Sequence, residues 1–327
     1  MNMPLLLRLR AANGEFIMLR ALGADLAATR RDLDELVAFG FELEVHPLHG
    51  VAFRGPSQRL CPDQIEYGLG TRLIGRRLAV WDRVSSTNDL ALRAASSRAN
   101  EGLVVLAESQ HQGRGRRGRS WSAPHGTSIL MSFLVFPPEL RGCLDGLTAL
   151  GAVAVAEVVE KWTGFATQIK WPNDVRVQGK KLAGVLVEVD RTGGVVIGIG
   201  LNVNLPRSEL PDELADITLS MADLTKKTLD RSEVVRDLIR RLDDWYHEGL
   251  NDRSSQLAAA WKSRSEHPGT IVCVETEQGS IEGLVIDLDL KEGLILERPD
   301  QIDLVRIPAI LIRSMTARKL LESSDPD

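Results

Sequence analysis

The glycine pattern G-x-G-x-x-G occurs at Gly113, Gly115 and Gly118. In a dinucleotide-binding fold the third glycine opens a helix. Here Pro124 and Gly126 follow within eight residues of Gly118 and make a helix unfavourable. The pattern therefore argues against an NAD site in a doubly wound parallel sheet. The protein kinases are excluded as well, because the chain has no V-A-I-K, H-R-D or D-F-G motif.

The same loop carries four arginines, at positions 114, 116, 117 and 119. Glycines let the backbone approach a ligand closely, and guanidinium groups bind phosphate or carboxylate in a bidentate manner. Because like charges repel, the loop is expected to be mobile when empty and to become ordered around an anion. The alternative is a solvated basic surface loop, which composition alone does not exclude.

Lysines downstream favour the anion site. The chain has nine lysines, and four of them lie in residues 161–181. Pro172 and Asn173, in the sequence KWPND, predict a turn that lets Lys170 leave a strand end. Lys181 begins the next predicted strand, so a hairpin brings the two lysines to one side. Together with the glycine-arginine loop they suit a triphosphate or a phosphoanhydride.

Composition limits the other classes of function. The formal net charge is −5, so affinity for a polyanion must be local. Three well-separated cysteines indicate free thiols, and no apolar run is long enough to span a membrane, so a cytoplasmic location is expected. His46 and His49 form a polar turn, or a metal site if further ligands converge from elsewhere.

Three regions differ in pattern. Residues 1–60 read as three helices, at about 5–12, 19–27 and 29–39, followed by a hairpin around His46–Gly50, which is the order of a winged helix-turn-helix. Residues 61–267 mix helices and strands. Residues 268–327 contain short β-like pieces of a small β-barrel and a tail expected to fray.

The middle region predicts an α+β fold with a mixed sheet and helices on one side. Its helices lie at 86–99, opened by a capping box of Ser86 and Asp89, at the apolar residues 146–156, and at 230–250. Its strands lie at 103–108, 128–136, 168–170, 182–190 and 195–202.

Five motifs, STN, HQGRGRRGRSW, KWPND, KKLAGVLVE and GIGLNVN, resemble those of the biotin protein ligases and occur in the order of that family. The resemblance covers about residues 65–205. It implies a central ligase domain like that of the class II aminoacyl-tRNA synthetases, between an N-terminal winged helix and a C-terminal SH3-like barrel. It also implies ATP-dependent biotinylation of the biotin carboxyl carrier protein of acetyl-CoA carboxylase, through biotinyl-5′-AMP.

The resemblance assigns roles to individual residues. Lys181, Arg116, Lys170 and Asp174 are the catalytic candidates. The biotin-binding candidates are Ser86, Thr87, Asn88, Gln110, Arg114, Gly115, Arg116, Trp121 and Lys181. The ATP-binding candidates are Arg116, Lys170, Asn173, Asn202 and Arg313. No protein metal site is expected, since Mg²⁺ arrives with ATP. Asp174 either orients or deprotonates the acceptor amine or only caps its turn, and Trp121 and Trp171 either wall the biotin pocket or belong to the core.

The chain departs from the family pattern in two places. The segment 213–224 lacks the aromatic residue that stacks on adenine in some members, so aliphatic contacts are expected there. Residues 1–60 contain seven arginines and seven acidic residues, and Asp32, Asp34 and Glu35 lie on the expected recognition helix. Phosphate contacts dominate DNA affinity, so tight operator binding is not expected.

Two rival functions remain open. One is a related lipoate- or octanoate-transferring enzyme, against which the arginine-rich loop argues. The other is a transcription factor that senses biotinyl-AMP through an inactive ligase domain, against which the two retained lysines argue. The resemblance leaves open whether the protein forms a homodimer.

Overall fold

The N-terminal region consists of three helices and an antiparallel hairpin in the computed structural model, which describes residues 1–138, 143–249, 254–290, 292–299, 301, 303–308 and 311–317. The elements are α1 (Met3–Ala11), α2 (Leu19–Leu22), α3 (Leu26–Phe39), β1 (Glu42–His46) and β2 (Gly50–Gly55). The predicted order is confirmed. The expected helix at 19–27 is too long, because Gly23 is extended and Asp25 caps α3 by accepting from the N–H groups of Ala27 and Ala28.

The central region is built on a seven-stranded sheet. Its strands are β3 (Arg77–Val84), β4 (Leu103–Gln110), β5 (Ser128–Val135), β6 (Gln168–Lys170), β7 (Asp174–Val177), β8 (Lys180–Val189) and β9 (Val195–Asn202). They lie in the order β3-β4-β5-β9-β8-β7-β6, and only β3 and β4 run parallel. The predicted mixed sheet is therefore confirmed.

The helices of this region are α4 (Pro62–Glu66), α5 (Thr87–Ala94), α6 (Cys143–Thr163), α7 (Asp212–Ala215), α8 (Met221–Thr225), α9 (Arg231–Gly249) and α10 (Ser254–Lys262). They cover both faces of the sheet, so the prediction of helices on one side is wrong. Every residue of β5 is buried. Phe133 packs in the core that contains α6 and α9, whereas Leu134 packs against Ala91 of α5 on the opposite face.

The predicted helix at 86–99 and its capping box also need correction. The helix ends at Ala94, and a separate short 3-10 turn follows at Arg98–Asn100. Ser86 precedes the helix, but its side chain bonds no helix N–H. Asp89 accepts a hydrogen bond from the Ser85 hydroxyl and forms an ion pair with Arg114. It does not make the reciprocal bond of a capping box with Ser86. The ion pair with Arg114 has therefore replaced the capping interaction that was expected between Asp89 and Ser86.

The C-terminal region is a five-stranded antiparallel sheet. Its strands are β10 (Ile271–Thr276), β11 (Gly279–Asp289), β12 (Gly293–Glu297), β13 (Val305–Ile307) and β14 (Ile312–Ala317), in the order β13-β12-β11-β10-β14. The predicted β-only region is confirmed, with β14 as an addition. Closure of the sheet into a barrel stays a prediction, and the tail at 318–327 and the predicted helix end at Leu250 lie outside the described residues.

The connection into this sheet follows an edge of the central sheet. The N–H of Ile169 donates to the carbonyl of Arg264 (2.7 Å), and the N–H of Glu266 donates to the carbonyl of Ile169 (3.2 Å). Val272 and Val285 then join the same hydrophobic core as α6. This packing holds β14 beside the strand ends where the polar motifs lie. In the described part of the chain, no helix has the length and apolarity needed to cross a bilayer.

Candidate active site

A cavity of about 610 Å³ lies where the central sheet, the glycine-arginine loop and β14 meet. Glycines form its floor, at Gly184 of β8 and at Gly198 and Gly200 of β9. A Cβ atom at Gly198 would lie 2.2 Å from the Asn88 side-chain oxygen, and one at Gly200 would lie 2.4 Å from Cε2 of Trp121. These glycines therefore allow Asn88 and Trp121 to lie directly on the sheet.

The start of α5 forms a polar wall. Thr87 and Asn88 are only 3% and 4% exposed. Thr87 donates to the side-chain oxygen of Gln110 from its N–H (2.7 Å) and from its hydroxyl (3.0 Å). Asn88 donates to Glu188 (2.6 Å) and accepts from the Ser132 hydroxyl (2.5 Å). Because these buried groups are paired, the wall is held rigid before any ligand arrives.

The glycine-arginine loop is a compact hairpin. Trp121 donates its N–H to the carbonyl of Gly113 (2.9 Å), and Gly115 donates to the carbonyl of Arg119 (2.6 Å). Arg117 and Gly118 turn the chain through the left-handed region, with φ of 58° and 72°. Glycine at 118 suits this turn because it adopts positive φ without strain. All four arginines of the loop line the cavity.

The cations that line the cavity fall into two groups. Four have carboxylate partners: Arg114 lies 2.7 Å from Asp89 and 3.2 Å from Glu188, Lys181 lies 2.8 Å from Asp174, Arg176 lies 3.6 Å from Glu266, and Arg313 lies 3.2 Å from Glu277. By contrast, no carboxylate of the described residues lies within 4.0 Å of the charged nitrogens of Arg116, Arg117, Arg119 or Lys170; these four carry unbalanced positive charge into the cavity.

Two of these cations have lowered pKa values, because their surroundings disfavour the charged form. The pKa of Arg116 is lowered, first by burial and then by the charge of Arg117. The pKa of Lys170 is lowered, first by burial and then by the charge of Arg176. Burial and like charge both disfavour a cation, and a bound anion relieves both. The cavity is therefore arranged to receive a ligand with several negative charges.

The KWPND turn places its residues as the hairpin argument expects. Lys170 pairs with Asp174 across β6 and β7, and Lys181 lies on β8, so both lysines line the cavity. The short strand β7 between them was not predicted. Asn173 also lines the cavity, but its amide donates to the carbonyl of Val185 (2.9 Å), which anchors the turn to β8.

Trp121 and Lys181 meet at the floor. Lys181 Nζ lies 5.4 Å from the ring centroid of Trp121, within the range of a cation–π contact. The indole N–H of Trp121 is buried and has no hydrogen-bond partner among the described residues. Trp171, 8% exposed, both lines the cavity and packs in the main core, so the two alternatives for it are not exclusive.

Two further candidates approach from other elements. Arg313 of β14 lines the cavity, although it also lies 3.2 Å from Glu277. Asn202 does not line the cavity; it is 4% exposed, donates to the carbonyl of Leu219 (3.3 Å) and accepts from the Ser128 hydroxyl (3.4 Å). The remaining candidates, from Ser86 to Lys181, all line this cavity, while their individual roles stay predictions.

Three residues that sequence reasoning did not name contribute to the cavity or its walls, although aliphatic contacts were expected from the segment 213–224. Leu214 and Ile217 line it while 43% and 58% exposed, and they supply aliphatic surface in the segment that lacks an aromatic residue. Glu188 joins the polar wall through Asn88 and Arg114. Its place in the motif KKLAGVLVE, on the same face of β8 as Gly184, was the available signal.

Comparison with known proteins agrees with this geometry. The profile of the biotin/lipoate A/B protein ligase family matches residues 80–204. The bifunctional ligase/repressor BirA of Bacillus spizizenii is 33% identical over 286 residues, 86% of this chain and 88% of the relative. The biotin–[acetyl-CoA-carboxylase] ligase of Mycobacterium tuberculosis is 37% identical over 253 residues, 73% of this chain and 92% of the relative.

A solved structure supports the same assignment. The biotin protein ligase from Aquifex aeolicus, in complex with biotin and ATP, superposes with a TM-score of 0.66 and 28% identity, covering 74% of this chain and 100% of that one. The chain therefore belongs to the biotin/lipoate A/B protein ligase family, and within it to the biotin protein ligases.

Proposed function

We propose that this protein is a biotin–[acetyl-CoA-carboxylase] ligase, which uses ATP to join biotin to a lysine of the biotin carboxyl carrier protein through biotinyl-5′-AMP. The observation that carries the proposal is the group of cations without carboxylate partners, Arg116, Arg117, Arg119 and Lys170, beside Lys181 on a floor of glycines. The names of the relatives and the biotin and ATP of the Aquifex complex support the same substrates.

The first step joins two anions. A biotin carboxylate oxygen attacks the α-phosphorus of ATP, and the bond from that phosphorus to the pyrophosphate oxygen breaks. Lys181, Lys170 and Arg116 offset the charge that builds up on the phosphate oxygens. Alignment in a preformed cavity supplies the rest of the acceleration. Arginines held without carboxylate partners need little reorganisation as pyrophosphate departs.

Biotin occupies the end of the cavity walled by α5 and the loop. Ser86, Thr87, Asn88 and Gln110 supply polar groups, and Arg114, Gly115 and Trp121 close the other side. This assignment follows the family motifs and is supported by the burial of Thr87 and Asn88. An amphipathic ligand of this size suits a pocket that combines an indole wall with a few fixed polar groups.

ATP occupies the end bordered by Lys170, Asn173, Arg313 and the segment 213–224. Leu214 and Ile217 are the aliphatic cover for adenine. Asn202 does not line the cavity, so we propose only an indirect role for it, through its bond to the carbonyl of Leu219 in that segment. Arg313 brings the C-terminal sheet to the nucleotide, which supports closure of that sheet over the site.

Mg²⁺ enters the proposal only as a companion of ATP. The described residues contain no group of three His, Cys, Asp or Glu side chains that converge on one point. Magnesium is often held by substrate phosphates with one or two carboxylates, and Asp174, which lies 2.8 Å from Lys181, is the candidate carboxylate here. Bound there, the ion would neutralise phosphate charge.

The second step uses the reactive anhydride. The lysine amine of the carrier attacks the acyl carbon of biotinyl-5′-AMP, the acyl carbon–oxygen bond breaks, and AMP leaves with the electron pair. Asp174 is placed either to orient the amine and take its proton or to hold Lys181, from which it lies 2.8 Å. The loop excludes water from the anhydride until the carrier arrives.

The flanking regions complete the proposal. Residues 1–60 form a winged helix, 61–267 the ligase domain, and 268–327 an SH3-like barrel with its tail. The free thiols of Cys61 and Cys273 suit a cytoplasmic location. Homodimer formation is kept as a proposal from the family. No tight operator contact is expected of residues 1–60, although relatives named ligase/repressor exist.

The structure changes the reason for that last expectation. Asp32 accepts a hydrogen bond from Asn2 (2.7 Å), and Glu35 lies 3.4 Å from the N-terminal ammonium. Of these two acids, only Glu35 is therefore paired with a positive charge, since the Asn2 amide is neutral. The expectation now rests on Asp32, Asp34 and the equal number of arginines and acids in residues 1–60.

The direct test is exchange of labelled pyrophosphate into ATP. We expect exchange that depends on biotin and is absent with lipoate or octanoate. Exchange driven by lipoate or octanoate would establish the rival transferase. No exchange with any of the three acids, from folded protein, would favour the sensor with an inactive ligase domain.

A further inference from the structure

Glu188 has a place in the cavity wall that the reaction itself does not require. Its carboxylate accepts from the Asn88 amide (2.6 Å) and pairs with Arg114 (3.2 Å). Arg114 in turn lies 2.7 Å from Asp89, which also accepts from the Ser85 hydroxyl (2.9 Å). One guanidinium therefore joins carboxylates from β8 and from α5.

We propose that Glu188 and Asp89 form a latch that holds the glycine-arginine loop closed by gripping Arg114, and that Glu188 is a positioning residue for retention of the adenylate. Only the role in retaining the adenylate rests on the proposed function. That the carboxylates hold the loop is a statement about this chain with or without a ligand.

Charge balance separates Arg114 from its neighbours in the loop. Two carboxylates surround its single positive charge, so the cluster has no net attraction for a further anion. Arg116, Arg117 and Arg119 have no such partners among the described residues. The charge of Arg114 is therefore balanced within the protein, and the charges of the other three arginines are left for the ligand.

The position of Arg114 makes it an effective anchor. It stands at the base of the hairpin, where its backbone pairs with Ser120. Holding the base fixes the two arms of the hairpin. The pKa of Asp89 is lowered even though burial opposes this, because the bonds from Arg114 and Ser85 outweigh the burial. Asp89 therefore stays ionised at neutral pH.

The test uses Glu188→Gln, which keeps an acceptor for Asn88 but removes the charge that faces Arg114. Trypsin cleavage after Arg116, Arg117 and Arg119, followed by mass spectrometry without any ligand, reports opening of the loop. We expect the rate of cleavage to rise roughly tenfold. This is the lower end of the range for losing a hydrogen bond between charged groups, because Arg114 and Glu188 are each about one third exposed. Asp89→Asn is the second variant, and Glu44→Gln, which removes an exposed ion pair on β1, is the matched control.

The second measurement is the rate at which biotinyl-5′-AMP leaves the protein. Release, measured on preformed protein-bound biotinyl-5′-AMP, should also rise about tenfold in Glu188→Gln. On an Arg114→Ala background, Glu188→Gln should change cleavage or release by no more than about twofold, because its partner is gone.

Each outcome bears on a different claim. Unchanged loop cleavage in both carboxylate variants overturns the latch. If the effects of Glu188→Gln and Arg114→Ala multiply in the double variant, the latch is overturned too. Glu188 would then act only through Asn88 and not through Arg114. If the wild-type protein makes no adenylate, the proposed function has failed, and the cleavage series still decides whether the latch exists.

Discussion

Lys181 is the residue whose removal tests the chemistry most severely. Its Nζ lies 2.8 Å from Asp174 and above the ring of Trp121, and its side chain is 34% exposed. If it stabilises the biotin carboxylate and the developing phosphate charge, Lys181→Ala removes a preorganised electrostatic contact. Such contacts are worth about 3–4 kcal/mol, which corresponds to a loss of roughly 100- to 1,000-fold in the rate of adenylate formation.

The same change should have little effect on folding. The ion pair with Asp174 is partly exposed, and pairs of this kind contribute about 1 kcal/mol or less. Lys181 itself is not a member of the hydrophobic core, so its removal costs only this ion pair and the contact with the ring of Trp121. The melting temperature of Lys181→Ala should therefore stay within about 4 °C of wild type.

The assay is pyrophosphate release in a single turnover with saturating biotin and ATP. The neighbouring Lys180 provides a matched control, because its side chain borders a separate cavity with Arg207 and Asp223. Lys180→Ala should release pyrophosphate at a rate within about threefold of wild type, since only one surface charge changes. Pyrophosphate release near the wild-type rate from folded Lys181→Ala would refute the assignment.

Three other predictions concern the loop, pH and DNA. Arg116→Gly should still make biotinyl-5′-AMP but lose it, so that biotin appears on bystander albumin; labelling no higher than wild type would show that Arg116 does not retain the anhydride. His267 is buried, and its pKa falls to about 4, first through burial and then through Lys170 and Arg176. Its neutral form is therefore favoured in the folded state, so stability should fall by about 3 kcal/mol as pH drops from 6.5 to 4, and denaturant titration of His267→Gln should lack this slope. Residues 1–60 should give weak DNA binding that vanishes with salt when the full chain, biotin and ATP are titrated against its own biotin-gene promoters at about 0.1 M salt; nanomolar, sequence-selective binding would contradict this.

Strands buried in the sheet were predictable from local pattern. The bounds predicted for β9, Val195–Asn202, agree with the structure because neighbours on both sides bury a continuous apolar run. β3 was missed because it is an edge strand with three consecutive exposed residues and no alternation. β7 was missed because it has only four residues.

The site was predictable where residues fall in contiguous motifs. The loop, KWPND and the start of α5 all reach one cavity, since motif spacing reflects strand ends and turns. The partners of these residues were not predictable. The contact of Glu188 with Asn88 spans 100 positions, and that with Arg114 spans 74. Asp89 shows the same limit, because a distant arginine displaced its expected role in the helix cap.

The protein is proposed to use ATP to join biotin to a carrier lysine, with Lys181 and the cations that have no carboxylate partner offsetting the phosphate charge. The most direct test of this proposal is transfer of radiolabelled biotin to an isolated carrier domain, with and without ATP. We expect label on the single acceptor lysine only when ATP is present, with AMP released in equal amount. Transfer without ATP, or transfer of labelled lipoate or octanoate in preference to biotin, would contradict the account.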